Sequence, residues 1–134
     1  MKINLPRHST LDLILLTIIT GGIYVPIYYI RLDNMTKNIS ISKNNKFLLK
    51  VYLCSAMTQV LLIIMSLYHP ISKSIIDPLK YFNLALAIWF AFLFSAVVTI
   101  YLKKHRKKIK YNAVWLVILS YLYLQYKINE TLRK

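Results

Sequence analysis

Cysteine, glycine and acidic residues are all scarce in this chain, and each shortage closes off a class of protein. One cysteine in 134 residues excludes an intrachain disulfide and a thiolate metal cluster. That cysteine, Cys54, falls within an apolar run, so it is expected as a small buried apolar residue rather than a reactive thiol. With two glycines and four prolines there is no Gly/Ser linker and no low-complexity tract, so residues 1–134 read as a single domain. Four acidic residues leave general acid–base chemistry to Asp12 or Glu130 alone. The three histidines, His8, His69 and His105, sit in separate polar segments without metal-ligand spacing. Neither a nucleophile elbow nor a phosphate-cradling glycine loop is present. The expectation is a protein that is not an enzyme and carries no cofactor and no metal.

Apolar residues are abundant. The hydrophobic fraction is 57% and the mean hydropathy +0.50, yet the formal charge is +14. A basic nucleic-acid-binding domain would be rich in charge, whereas only 16% of this chain is charged, and the combination points to a membrane protein. Four apolar runs, residues 11–32, 51–68, 81–102 and 111–126, take up 78 of the 134 positions. The longest stretch between them, residues 33–50, is too short for a soluble domain of usual size. The fold class expected is therefore an all-α integral membrane protein.

Runs 51–68 and 81–102 contain no charge and would cover about 27 and 33 Å as helices, close to the hydrocarbon thickness of a bilayer. They are read as transmembrane helices. The outer runs are irregular. Thr20-Gly21-Gly22 and then Pro26 interrupt 11–32, releasing backbone groups that lipid cannot satisfy. Run 111–126 would cover only about 24 Å. The first run follows Lys2, Pro6 and Arg7 as a signal peptide would, but it is long and lacks a small-residue cleavage site, so it is read as retained.

The outer runs either cross the bilayer or re-enter it, and the cations separate these readings. Two lie before residue 11, five in 31–50, two (Lys73 and Lys80) in the 69–80 connector, six in 103–110 and three at the end. Four full spans divide them 11 against 7, whereas two spans flanked by two dipping segments divide them 16 against 2. The positive-inside rule favours the second arrangement, with the basic loops cytoplasmic in a multi-pass inner-membrane protein. The 69–80 connector, with Pro70 and Pro78, is then the one external loop.

The ends of the irregular segments resemble one another. Tyr28 is followed by Asn34-Met35-Thr36 and Tyr123 by Asn129-Glu130-Thr131, as in duplicated halves. Most of the eleven tyrosines lie near the ends of runs, where an aromatic belt meets headgroups. Thr20-Gly21-Gly22-Ile23-Tyr24, the pair Tyr28-Tyr29, Arg31, Asn34 and a C-terminal stretch with Gln125 and Asn129 resemble a bacterial family of small membrane proteins, the domain of unknown function numbered four-two-three-four. Tyr28 stands where that family usually has tryptophan, and Pro26 falls inside the aromatic cluster. The resemblance implies membrane location and no particular chemistry.

Candidate functional or packing residues are Asp12, Thr20, Gly21, Gly22, Tyr24, Pro26 and Gln59. Asp12 is the acid nearest a run's interior, one helical turn from His8 and near Arg7, where an ion-paired cluster or a helix-dipole contact is available. Gln59 is near mid-run and needs an amide partner; Ser55, Thr58, Ser66, Asn83, Ser95 and Thr99 can likewise bond helix to helix. Lys103, Lys104, Arg106, Lys107, Lys108 and Lys110 directly follow a span, where they would contact anionic headgroups at about 1 kcal/mol each. A nucleic-acid partner is disfavoured, because only Tyr111 offers a stacking group beside them. The functions that fit are association, as an accessory or scaffold subunit or with copies of itself, and an oligomeric pore, transporter or holin-like protein built around Asp12, Gln59 and the Thr20–Gly22 break.

Overall fold

The computed structural model describes Leu5, residues 9–36, Ile39, residues 41–69, Ile71 and residues 73–133. Five helices form and no strand occurs among the described residues: α1 (Thr10–Ile19), α2 (Tyr24–Met35), α3 (Lys43–Ser66), α4 (Lys73–Lys104) and α5 (Ala113–Arg133). Ser9 caps α1, its Oγ accepting from the Leu11 N–H at 3.2 Å. α1 stops at Gly21 and Gly22, whose φ values of 60° and 95° suit residues without a Cβ. The Gly22 N–H reaches back to the Thr17 carbonyl at 2.9 Å, closing a Schellman-type end, and α2 starts two residues later. α5 is itself two helical arms, because Ser120 has φ 49° and ψ −121°.

Side-chain pairs fix the register. Gln59 meets Asn83 and Tyr52 meets Phe90, so α3 and α4 run antiparallel. Gly21 lies against Val60 while Asp33 pairs with Lys46 at 3.7 Å, so α2 runs antiparallel to α3 as well. Ser120 donates to the Ala87 carbonyl at 3.0 Å, near the midpoint of α4, yet Lys107, just beyond the end of α4, donates to the Thr131 carbonyl at 3.1 Å. A straight helix would carry Thr131 about 28 Å past Asn112. The chain instead descends along α4 to Ser120, reverses, and climbs back. α1 follows the same route beside the second arm of α5: Thr17 is hydrogen-bonded to Tyr121, and Ser9, Thr10 and Leu11 line one hollow with Tyr126, Asn129, Glu130 and Arg133.

Both broken segments therefore begin and end at the same end of the α3–α4 pair and turn near its middle. One half of the molecule holds six helical rods: α1, α2, the two arms of α5, and parts of α3 and α4. It contains the core, where Tyr29 stacks on Phe94 at 5.3 Å, Tyr52 stacks on Phe90 at 6.0 Å, and Leu32, Val98, Leu124 and Ile128 are fully buried. The other half holds α3 and α4 alone. There Leu61, Ile63, Ile64, Met65, Leu67, Tyr68, Ile75 and Phe82 are all exposed.

Several expectations need correction. α3 and α4 each start eight residues before the apolar runs 51–68 and 81–102, because Ser42 caps α3 over a polar first turn and Pro78 does not stop α4. The connector expected at 69–80 is accordingly only 67–72, with Pro70 outside the described residues. Pro26 is not a second break: it is the third residue of α2, in the first turn, where its missing N–H has no helical acceptor to lose. Run 111–126, expected as one short segment, extends over Ala113–Arg133 and reverses at Ser120. Cys54 is exposed on the outside of α3 rather than buried in the protein. Thr58, Ser66, Ser95 and Thr99 do not tie helices together; each donates to a carbonyl three or four residues earlier in its own helix. Thr36 and Thr131, matched in the internal similarity, make the same local bond, each at 2.8 Å to the residue four before it.

Candidate functional site

The turns of the two broken segments come together beside α3 and α4. Between them lies a cavity of about 470 Å³ lined by Thr17, Gly21, Gly22, Gln59, Asn83 and Ser120 among others. Gly21 permits the close approach that shapes it, since a Cβ there would stand 2.9 Å from a Val60 methyl. Gln59 Oε1 accepts from Asn83 Nδ2 at 2.5 Å, joining α3 to α4. Asn83 is only 8% exposed, and its Oδ1 has no partner, a desolvation cost of about 1–3 kcal/mol that a donor in the cavity would remove.

A chain of polar contacts holds the turns in place. The Ala87 carbonyl accepts from Tyr29 Oη at 3.1 Å and from Ser120 Oγ at 3.0 Å, so one peptide of α4 anchors both broken segments. Tyr28 Oη donates to Gln125 Oε1 at 2.9 Å, and Gln125 Nε2 donates to Asn129 Oδ1 at 2.8 Å. Tyr28 and Tyr121 pack at 5.7 Å between ring centroids. Buried hydrogen bonds of this kind compensate the burial of their groups and specify one alignment.

The structure brings Gly21, Gly22 and Gln59 to the cavity, with Thr20 in the turn, its Oγ1 donating to the Leu16 carbonyl at 2.7 Å. Tyr24 is buried beside the turn with its hydroxyl unpartnered. Pro26 is buried in the first turn of α2. Asp12 is exposed at the start of α1, its N–H directed to Ser9 Oγ at 3.5 Å, and does not line the cavity. His8 and Arg7, named as its companions, lie outside the described residues. Ser120, Tyr121 and Asn83 complete the site. No glycine or proline marks Ser120, and only its tertiary bond to Ala87 explains its left-handed conformation.

A second concave region lies at the basic end. Arg106, Lys107, Lys108, Ile109, Lys110, Lys127, Glu130 and Thr131 line a groove of about 530 Å³. Lys103, Lys104, Arg106, Lys108 and Lys110 are exposed, whereas Lys107 turns back to the Thr131 carbonyl and so belongs to the protein's own packing. Lys127 meets Glu130 at 2.7 Å; that hydrogen bond, followed by the carboxylate's charge, holds the ammonium above its usual range. Among the described residues no three His, Cys, Asp or Glu side chains gather as a metal site would require.

The class of protein these observations define is an all-helical bundle with two helices, α3 and α4, long and apolar enough to cross a membrane. Comparison with protein-family models, curated proteins and solved structures finds no match to this chain.

Proposed function

We propose that this chain is an integral membrane protein in which α3 and α4 span the bilayer, both broken segments dip in from the basic side, and activity consists in association with other membrane components. Twelve of the fourteen described lysines and arginines lie in the half where the broken segments begin and end; Lys73 and Lys80 are the other two. The single observation carrying the topology is the return of α5, through Lys107 and Thr131, to the end where it began. The resemblance to the four-two-three-four family agrees with a bacterial inner membrane, where the basic end would meet anionic headgroups from the cytoplasmic side.

Association is supported by α1. Its exposed residues Leu11, Ile14, Leu15, Ile18 and Ile19 repeat at three- and four-residue intervals and form one stripe, opposite the fully buried Leu13. A stripe of that width suits another helix, from a second copy or a different subunit.

The test has two parts. In a Cys54→Ser background, single cysteines at Ser9, Ser42, Ser74 and Thr131 are probed in sealed vesicles with an impermeant thiol reagent. All but Ser74 are expected on one side, whereas Ser9 and Thr131 appearing with Ser74 would overturn the dipping arrangement. Copurification from native membranes then tests association: a species that is monomeric and without a partner removes it.

The cavity favours a conduit as the second reading. Gly21, Gly22, Gln59 and the unpartnered Asn83 Oδ1 are where a solute would meet polar groups inside the bundle. Reconstituted protein would then leak solute, Asn83→Leu would close the leak, and Asp12→Asn, away from the cavity, would not. Tight liposomes at high protein content exclude it.

A further inference from the structure

We infer that this protein acts as a wedge in the bilayer and so partitions into, and promotes, membrane curved towards its basic side. The inference rests on the membrane reading proposed above. It comes from an asymmetry in depth. The broken segments turn where Gly21 meets Val60 and Ser120 meets Ala87, the fifteenth residue of the 32-residue α4. Six helical rods therefore occupy the basic half and two the other. With rods about 10 Å across, the excess of four amounts to about 300 Å² more cross-section in one leaflet than in the other.

The narrow half stays narrow only if lipid, not protein, surrounds it. Its exposed residues decide this. Along α3, Leu61, Ile63, Ile64, Met65 and Leu67 are all exposed, and at 100° per residue these positions point to every side of the helix. A helix partner covers one stripe, as on α1, whereas apolar exposure on all sides is the pattern of a helix surrounded by acyl chains. α4 continues it on the far side with Ile75, Tyr81, Phe82 and Leu84. The wide half is held rigid by buried bonds at its tips, from Tyr29 and Ser120 to Ala87 and from Tyr28 to Gln125, so it does not flatten to match its neighbours. Acyl chains of the leaflet around the narrow half then have more room than those of the other leaflet. Bending towards the basic side relieves that mismatch.

The experiment uses the full chain in giant vesicles from which a thin membrane tether is drawn. Two single-cysteine forms in the Cys54→Ser background, Thr131→Cys and Ser74→Cys, are labelled from outside with an impermeant dye. The first marks copies whose wide half is in the outer leaflet and the second marks copies of opposite orientation. A protein-to-lipid ratio severalfold higher in the tether for Thr131→Cys, with depletion for Ser74→Cys, is the expected result. Equal ratios in tether and vesicle for both forms overturn the wedge while membrane insertion stands. Enrichment of both forms alike overturns it too, because a wedge must sense orientation. Protein that fails to float with the vesicles overturns the membrane reading itself.

Discussion

The two halves of the molecule contain stretches of the same two helices in opposite circumstances. In the basic half α3 and α4 are buried beneath four further rods, and Phe90, Phe94 and Val98 are inaccessible. In the other half Ile63, Ile64 and Met65 have no neighbour from another segment. The apolar character of the two stretches is alike, so hydropathy identifies both as membrane material and cannot separate a protein core from a lipid-facing surface. Their neighbours separate them. Aromatic rings interlock where the broken segments return, and aliphatic side chains predominate where they do not.

The largest effect expected from this contrast is in paired core and surface truncations. Phe90→Ala removes a ring that packs against Tyr29, Tyr52 and Phe94 and should destabilise the fold by about 3–5 kcal/mol in reversible unfolding in mixed micelles. Ile64→Ala, at 48% exposure, should change stability by less than about 1 kcal/mol. Comparable losses at the two sites would mean that something covers the bare half. Next, Gly21→Ala meets both its positive φ and the Val60 methyl, and should cost about 2 kcal/mol or more, part of it recovered by Val60→Ala. Gly22→Ala meets only the backbone penalty, about 1–2 kcal/mol, because nothing lies within 4 Å of the added carbon.

A smaller loss, about 1 kcal/mol, is expected for Tyr28→Phe, which deletes the hydroxyl that donates to Gln125 between the two broken segments. The smallest effect belongs to Lys127 and Glu130 at the basic end. Lys127 is held above its unfolded value of 10.5, so the pair's contribution is fully present below that pH and fades as pH rises through the higher folded value. Thermal melts from pH 7 to 11 with and without Glu130→Gln should converge only at the alkaline end. Both side chains are partly exposed, so added salt should shrink the difference.

Much of the architecture was legible in the residues, and what was hidden has identifiable causes. The uncharged runs in α3 and α4 mark both long helices, but a helix begins where a cap and its first turn allow, at Ser42 rather than at the apolar boundary of Val51. Gly21 and Gly22 announce their turn because only positive φ needs them. Ser120 performs the equivalent reversal with no marker, since Ala87, 33 positions away, supplies the bond that holds it. Pro26 misled because proline signals a break only beyond the first helical turn. Of the cavity, Gln59 was identifiable as an amide needing a partner, whereas its contact with Asn83 and the arrival of Tyr121 depend on how the two reversals meet. The association partner has no counterpart in composition or spacing.

The short 67–72 connector has a consequence for how such a chain would reach its final state. With both broken segments returning to their starting side, inserting the protein carries across the bilayer only that connector and the first turns of α4, with Lys73, Asp77 and Lys80 as the described charged residues that travel. Every other described charge stays where it was synthesised. Biogenesis thus reduces to a single hairpin thrust, after which the remaining segments sink in from the near side against a scaffold already in place.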